Sequence, residues 1–334
     1  LRLPGTKILI ITMNQHHQHI PAATPLLPAP VFSTTGCVNM VPEAVWRHHF
    51  IKMLGLKELS ILRRTNTFFQ VYWREALNSR TIRVPQDRRT IQRAVKLANI
   101  LSVRIQYTTL LPLRIVIDEG EYKANGGKCI NVNVNHVAFV GKGPDKTFIV
   151  GGFYVANRQI TFEGLSISAP RGCGLSFNGR ETMVIVSNCD VQKCKGHGMF
   201  VETGAIVTAT RCNFFRNGAV GLRGYGVHCH DRGLARLNDC TMHHNDDEGL
   251  FVSNASVHLY GQKTEIYCNQ GIGMYATKRG LINIHLPTTH NTSHDNTNHD
   301  QQENGLGSIA NINADGTFTH YFVHGNGTIQ NVGN

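Results

Sequence analysis

Five short segments of this 334-residue chain are versions of one another. "GCGLSFNG", "GHGMFVET", "AVGLRGYG", "DEGLFVSN" and "GIGMYATK" carry a Gly-Leu or Gly-Met pair beginning at Gly174, Gly198, Gly221, Gly249 and Gly273. The steps are 24, 23, 28 and 24 residues, and a sixth pair, Gly305-Leu306, follows after 32. A second ladder, Leu165, Cys189, Cys212 and Cys240, keeps steps of 24, 23 and 28. Asn217, Asn245 and Asn269 each stand four residues before their glycine. Ladders that stay in step through unequal spacings imply stacked copies of one unit, each touching only its neighbours.

Each unit holds runs of three to five strand-type residues and no helical pattern. That combination predicts a right-handed parallel β-helix over 105–334, its coils stacked at strand spacing, roughly 4.8 Å. Leucine and methionine point inward, and glycine permits a tight corner. Nine cysteines is an odd number, with no C-x-x-C pair. Stacked in the interior as small apolar groups they need no redox or metal role, which fits a reducing, cytoplasmic or nuclear, compartment. The long steps predict loops at 224–233 and 286–304. No apolar run is long enough to span a membrane.

Upstream the period changes. Residues 1–40, with Pro21, Pro25, Pro28 and Pro30, read as a disordered leader, and residues 1–12 read as foreign to the natural protein. Residues 41–80 read as short helices: Val45, Trp46, Phe50, Met53 and Leu54 recur at three- and four-residue steps, followed past Gly55 by Leu59, Leu62, Phe69 and Trp73. Such a module is too small for a core of its own and needs a partner or the next domain. In 81–104, "DRRTIQRAVKLANIL" predicts a helix capping the solenoid's N-terminal end, with Asp87 at its start and Ile91, Val95 and Ala98 facing the core. The charge of +11 is concentrated here. Residues 41–104 hold thirteen Lys and Arg against four Asp and Glu, whereas 105–334 are balanced. A basic segment suits an acidic protein or nucleic acid, or is simply a solvated face.

Candidate chemistry gathers around His228, His230, Asp231, His243, Asp246, Asp247 and Glu248, the residues expected on the substrate face. A metal or sugar site there competes with a solvated loop and corner, which is the expected reading. "GHG" at 196–198 and "DD" at 246–247 resemble motifs of pectin-hydrolysing β-helix enzymes, but in the wrong order and without that family's "NTD" and "RIK". Three consecutive acids cannot all face one ion. No catalytic residue, metal or cofactor is therefore expected.

Two resemblances bear on function. "VPEAVWRHHFIKMLGLKELSILRRTNTFFQVYW", residues 41–73, resembles an F-box, with Val41-Pro42, Leu54, Leu59, Leu62-Arg63, Asn66, Phe68-Phe69 and Trp73 in the motif's places; Val41 and Thr65-Asn66 depart from it. "IRVPQDRRTIQRAVKLA", "RIVIDEGEYKA" and "INVNVNHVAFVGKGPDKTFIVGG" resemble the opening of pectin-lyase-like β-helix domains. Together they are similar in layout to F-box-only ubiquitin-ligase subunits with carbohydrate-binding-and-hydrolase-type repeats. The resemblance implies a mainly β protein with an N-terminal helical F-box-like module. Pro42, Leu59, Leu62, Phe68 and Trp73 would dock the acidic Skp-type adaptor of a cullin–RING complex, and the β-helix would hold a protein substrate. A carbohydrate-binding or polysaccharide-cleaving β-helix is the alternative, with a glycan as ligand; neither a membrane nor a nucleic acid partner is expected.

Overall fold

The structure, a computed structural model, describes residues 81–103, 105–219, 223–285, 292–304, 308–312 and 318–320. The leader and the F-box-like module, including Pro42, Leu59, Leu62, Phe68 and Trp73, lie outside the described residues. The rest is a parallel β-solenoid. Its strands fall into a long sheet of eleven and two sheets of eight, so the described chain makes about eight turns. One coil shows the plan. Asp190–Gln192 lies in the third sheet, Met199–Glu202 in the second and Ile206–Thr210 in the long sheet, before Asn213–Phe215 returns to the third. Every pairing is parallel except the last, where Phe318–His320 runs antiparallel to Ser308–Ile312.

Alternation along the strands makes the core. Leu250 and Val252 are fully buried while Phe251 between them points outward, and Leu175, Met199, Val227 and Met274 fill the same inward column as Leu250. In the first coils the interior is aromatic, with Phe153 and Phe162 ring centroids 4.9 Å apart and Phe139 stacked on Phe162 at 5.2 Å. Helix α1 (Ile91–Ser102) packs on the first two strands of the long sheet, Thr81–Val84 and Leu113–Ile117, and buries Ile91, Ala94, Val95, Ala98 and Leu101. Asp87 does not cap it. The Thr90 hydroxyl accepts from the Arg93 amide, whereas Asp87 is buried and its carboxylate accepts from the Arg83 amide at 2.8 Å.

Register differs from the sequence expectation at two coils. The third place in the glycine ladder belongs to Gly226-Val227, because Met199 pairs with Val227 and Val227 with Leu250. Residues 220–222, which include Gly221-Leu222, lie outside the described residues. The 28-residue gap is then common to all three ladders, and the extra residues sit between Asn217 and Gly226 rather than at 224–233. Val227–His230 is a strand. A Cβ on Gly224 would lie 1.9 Å from the Gly218 Cα, so the two ends of this insertion meet at its base. The sixth pair is likewise off the ladder. Met274 pairs with Gln301, which gives Asp300 the glycine's place. Of the loop expected at 286–304, Ser293–His294 and Gln301–Asn304 are strands.

The asparagine ladder is a continuous hydrogen-bonded column, one rung longer than expected. Asn217 Nδ2 donates to Asn245 Oδ1 (3.1 Å), Asn245 to Asn269 (2.8 Å) and Asn269 to Asn296 (2.9 Å), and Asn296 ends the column on Asp300 Oδ1 (3.0 Å). Each buried amide thereby has its partner, as a polar group in the core requires. The cysteine expectation holds for Cys189, Cys194, Cys212, Cys229 and Cys240, which are buried, but not for the exposed Cys129 and Cys268 or the half-buried Cys173.

Candidate functional site

The expected cluster does not assemble as one. His228 and His230 project from Val227–His230 in the second sheet, and Asp231 stands in the following turn with φ 39°. His243 belongs to the third sheet, stacked between Phe215 (5.0 Å) and Tyr267 (4.9 Å). Asp246, Asp247 and Glu248 form the turn between the third and second sheets. What the coil geometry does unite is His228 with Glu248 and Asp247, through Tyr225 and Arg223.

Two columns build this corner. The residue between the paired corner positions is Cys173, His197, Tyr225, Glu248 and Ile272 in successive coils, as the amides of Gly174, Gly198, Gly226 and Gly249 bond the next coil's residue in that column. Alongside, the outward column of the second sheet reads Tyr154, Ser176, Phe200, His228, Phe251 and Tyr275. His228 is enclosed by four rings: Phe200 at 4.7 Å, His197 at 4.8 Å, Phe251 at 4.9 Å and Tyr225 at 5.1 Å. His197, Tyr225 and Phe251 are nearly parallel to one another, and His228 stands across them. Phe251 passes the strip on to Tyr275 at 5.3 Å.

Hydrogen bonding fixes the tautomers. The Tyr225 amide donates to His197 Nδ1 (3.3 Å), so neutral His197 carries its proton on Nε2. That atom lies 3.3 Å from His228 Nδ1, which must accept, leaving the His228 proton on Nε2. Among the described residues that buried N–H has no acceptor. Burial holds both imidazoles neutral, His197 down at about 4 and His228 at about 3, the latter lowered further by His197.

The acids at this corner are not the solvated turn the sequence suggests. Burial first, then the hydrogen bond and charge of Asp247, push the Glu248 carboxyl from its ordinary 4.5 up to about 8, and its Oε2 is buried without a partner among the described residues. Glu248 is thus a neutral acid at neutral pH. Arg223 Nη1 donates to the Tyr225 hydroxyl at 3.2 Å, while burial raises that phenol to about 12. The corner offers an N–H donor, a carboxylic acid and an exposed cation beside a row of rings. Sequence reading set His197 aside with the "GHG" motif and missed Phe200, Arg223, Tyr225, Phe251 and Tyr275. The signal lay in the recurring G-x-G of "GCG", "GHG", "GYG" and "GIG", which aligns Tyr225 with His197.

A match to a protein family supports the fold. Residues 151–331 match the family described as "Right handed beta helix region". No curated protein matches the chain. Among solved structures, ORF18 of Geobacillus virus E2 is similar at 12% identity and a TM-score of 0.35, over 73% of this chain and 64% of that one. This chain therefore spans less than two thirds of the viral protein. The A-module of mannuronan C-5 epimerase AlgE4 from Azotobacter vinelandii is similar at 14% identity and a TM-score of 0.26, over 66% and 92%. The family match covers more than half of the chain, with repeats that coil as the structure describes, and the chain belongs to the right-handed β-helix family.

Proposed function

We propose that this is a recognition protein: its β-helix holds a ligand along the ring strip Phe200–His228–Phe251–Tyr275, and residues 41–80 attach it to a Skp-type adaptor. On this reading it is the substrate receptor of a cullin–RING ubiquitin ligase, non-catalytic in itself, acting in the cytoplasm or nucleus. The strip is the observation that carries the binding half. Half-buried rings on a sheet's outer face supply contact area at low entropic cost. The attachment half is supported by the F-box resemblance of 41–73 and by the excess positive charge of 41–104, which suits an acidic adaptor.

The test is a pull-down of the full chain with purified adaptor. We expect the parent to bind and Leu59→Asp to lose binding by at least tenfold while its β-sheet circular dichroism is unchanged. A well-folded parent that does not bind contradicts the attachment half. A second reading, a carbohydrate-active β-helix, is favoured by one observation: an acid held protonated near neutrality beside Asp247, Arg223 and Tyr225 is the equipment of general acid catalysis. Turnover of pectin, alginate or mannan that disappears in Glu248→Gln would establish it over the first.

A further inference from the structure

The outward column of the second sheet continues past Phe200 toward the N-terminal coils, and there it changes character. Ser176 interrupts the rings between Phe200 and Tyr154, and beside it Gly152 and Gly172 carry no side chain. The gap is a cavity of about 440 Å³. Backbone helps fix its shape: a Cβ on Gly152 would stand 2.1 Å from the Cys173 carbonyl oxygen, so position 152 cannot carry a side chain.

The lining is one-sided in charge. Lys128 and Arg171 contribute to it and no Asp or Glu does. The Arg171 guanidinium rests on Gly126, with Nη1 3.4 Å from where a Cβ would be. Neither cation belongs to an ion pair among the described residues. Tyr154, Asn131 and Ser176 add neutral donors. Cys129 and Cys173 also line the cavity. Although Cys129 as a residue is exposed, its thiol is partly desolvated, and desolvation pushes both thiols up, Cys129 to about 11, so they contribute no thiolate charge at neutral pH. Glu202, whose charge Cys173 feels, is outside the lining. A concave site with two cations and no carboxylate concentrates positive potential, and guanidinium with ammonium is a donor set for oxyanions.

The geometry points to an oxyanion-binding subsite at Lys128 and Arg171, taking the carboxylate or phosphate ester of a ligand whose body lies along the rings. Tyr154 and Phe200 are two rungs apart, roughly 10 Å, so a charged group in the cavity and a body over Phe200 and His228 fit one elongated molecule. The ligand's direction rests on the ring strip as its path; the subsite rests on its own lining.

Calorimetric titration of the full chain with glucuronate and, separately, with inorganic phosphate at low salt tests this. The parent should bind at least one of them saturably, more weakly as salt rises. Lys128→Ala/Arg171→Ala should bind at least tenfold more weakly, with Lys278→Ala, an exposed cation elsewhere, unchanged. Glucuronate alone would make the ligand's group a carboxylate, and phosphate alone a phosphate ester. Absence of saturable binding by the parent, or equal binding by the double variant, overturns the subsite. Both side chains are exposed, so an unaltered melting midpoint is expected; if it falls, Lys128→Gln/Arg171→Gln repeats the comparison. Phe251→Ala, which removes a ring of the strip, should leave binding of these small anions intact, and Leu59→Asp reports only on the adaptor. Failure of the subsite is thereby separable from failure of the receptor reading.

Discussion

Glu248 illustrates how a residue's neighbours decide its chemistry. In the sequence it is the third of three consecutive acids, which reads as a solvated turn. In the structure it lies behind Asp247 and close to Tyr225, where its ionised form loses hydration and meets a like charge. Its carboxyl is raised from 4.5 to about 8, so the folded protein holds a proton that the unfolded chain releases near 4.5. The sign follows from linkage: this contribution is fully present below pH 4.5 and is lost as pH rises through about 8. Glu248→Gln mimics the protonated form and should flatten that part of the pH–stability curve. Urea midpoints of parent and variant between pH 5 and 8.5 check it; parallel curves would mean an ordinary, solvated glutamate. None of this was legible from the residue itself, because burial at a corner depends on which coil lies above it.

At the scale of elements, the stacked parallel coils and their inward faces were readable, and the glycine register held at Gly174, Gly198, Gly249 and Gly273 but not at Gly221 or Gly305. The Leu165–Cys189–Cys212–Cys240 column stands where its spacing put it, buried in the core. The miss at Gly221 arose from weighing Gly-Leu pairs above G-x-G, which places Gly226 on the ladder and carries Tyr225 into the corner with His197. A similar substitution of one polar residue for another occurs at α1, where Thr90 caps and Asp87 braces the preceding turn. Neither error disturbs Leu250, which pairs with Val227 on one side and Met274 on the other and is fully buried. Leu250→Asp places an unpaired charge among stacked apolar groups, at a cost of at least about 3 kcal/mol. Thermal unfolding followed by circular dichroism should show a large fall in midpoint or aggregation. A midpoint equal to the parent's would show that this register is wrong.

For the molecule as a whole, the solenoid turns distant sequence positions into one surface. His197, Tyr225, His228, Glu248 and Phe251 come from three successive coils, and only stacking brings them together. The same stacking extends the rings to Tyr275 and leads at the other end to the cavity at Lys128 and Arg171, giving a linear path suited to an elongated ligand. The imidazoles of His197 and His228 report directly on whether these coils assemble as described. Long-range ¹H–¹⁵N NMR should find both His197 and His228 neutral, with the proton on Nε2, until the pH falls to about 4 for His197 and about 3 for His228. Two imidazoles titrating near the ordinary 6.5, or carrying the proton on Nδ1, would contradict the caged pair and the coil register that creates it.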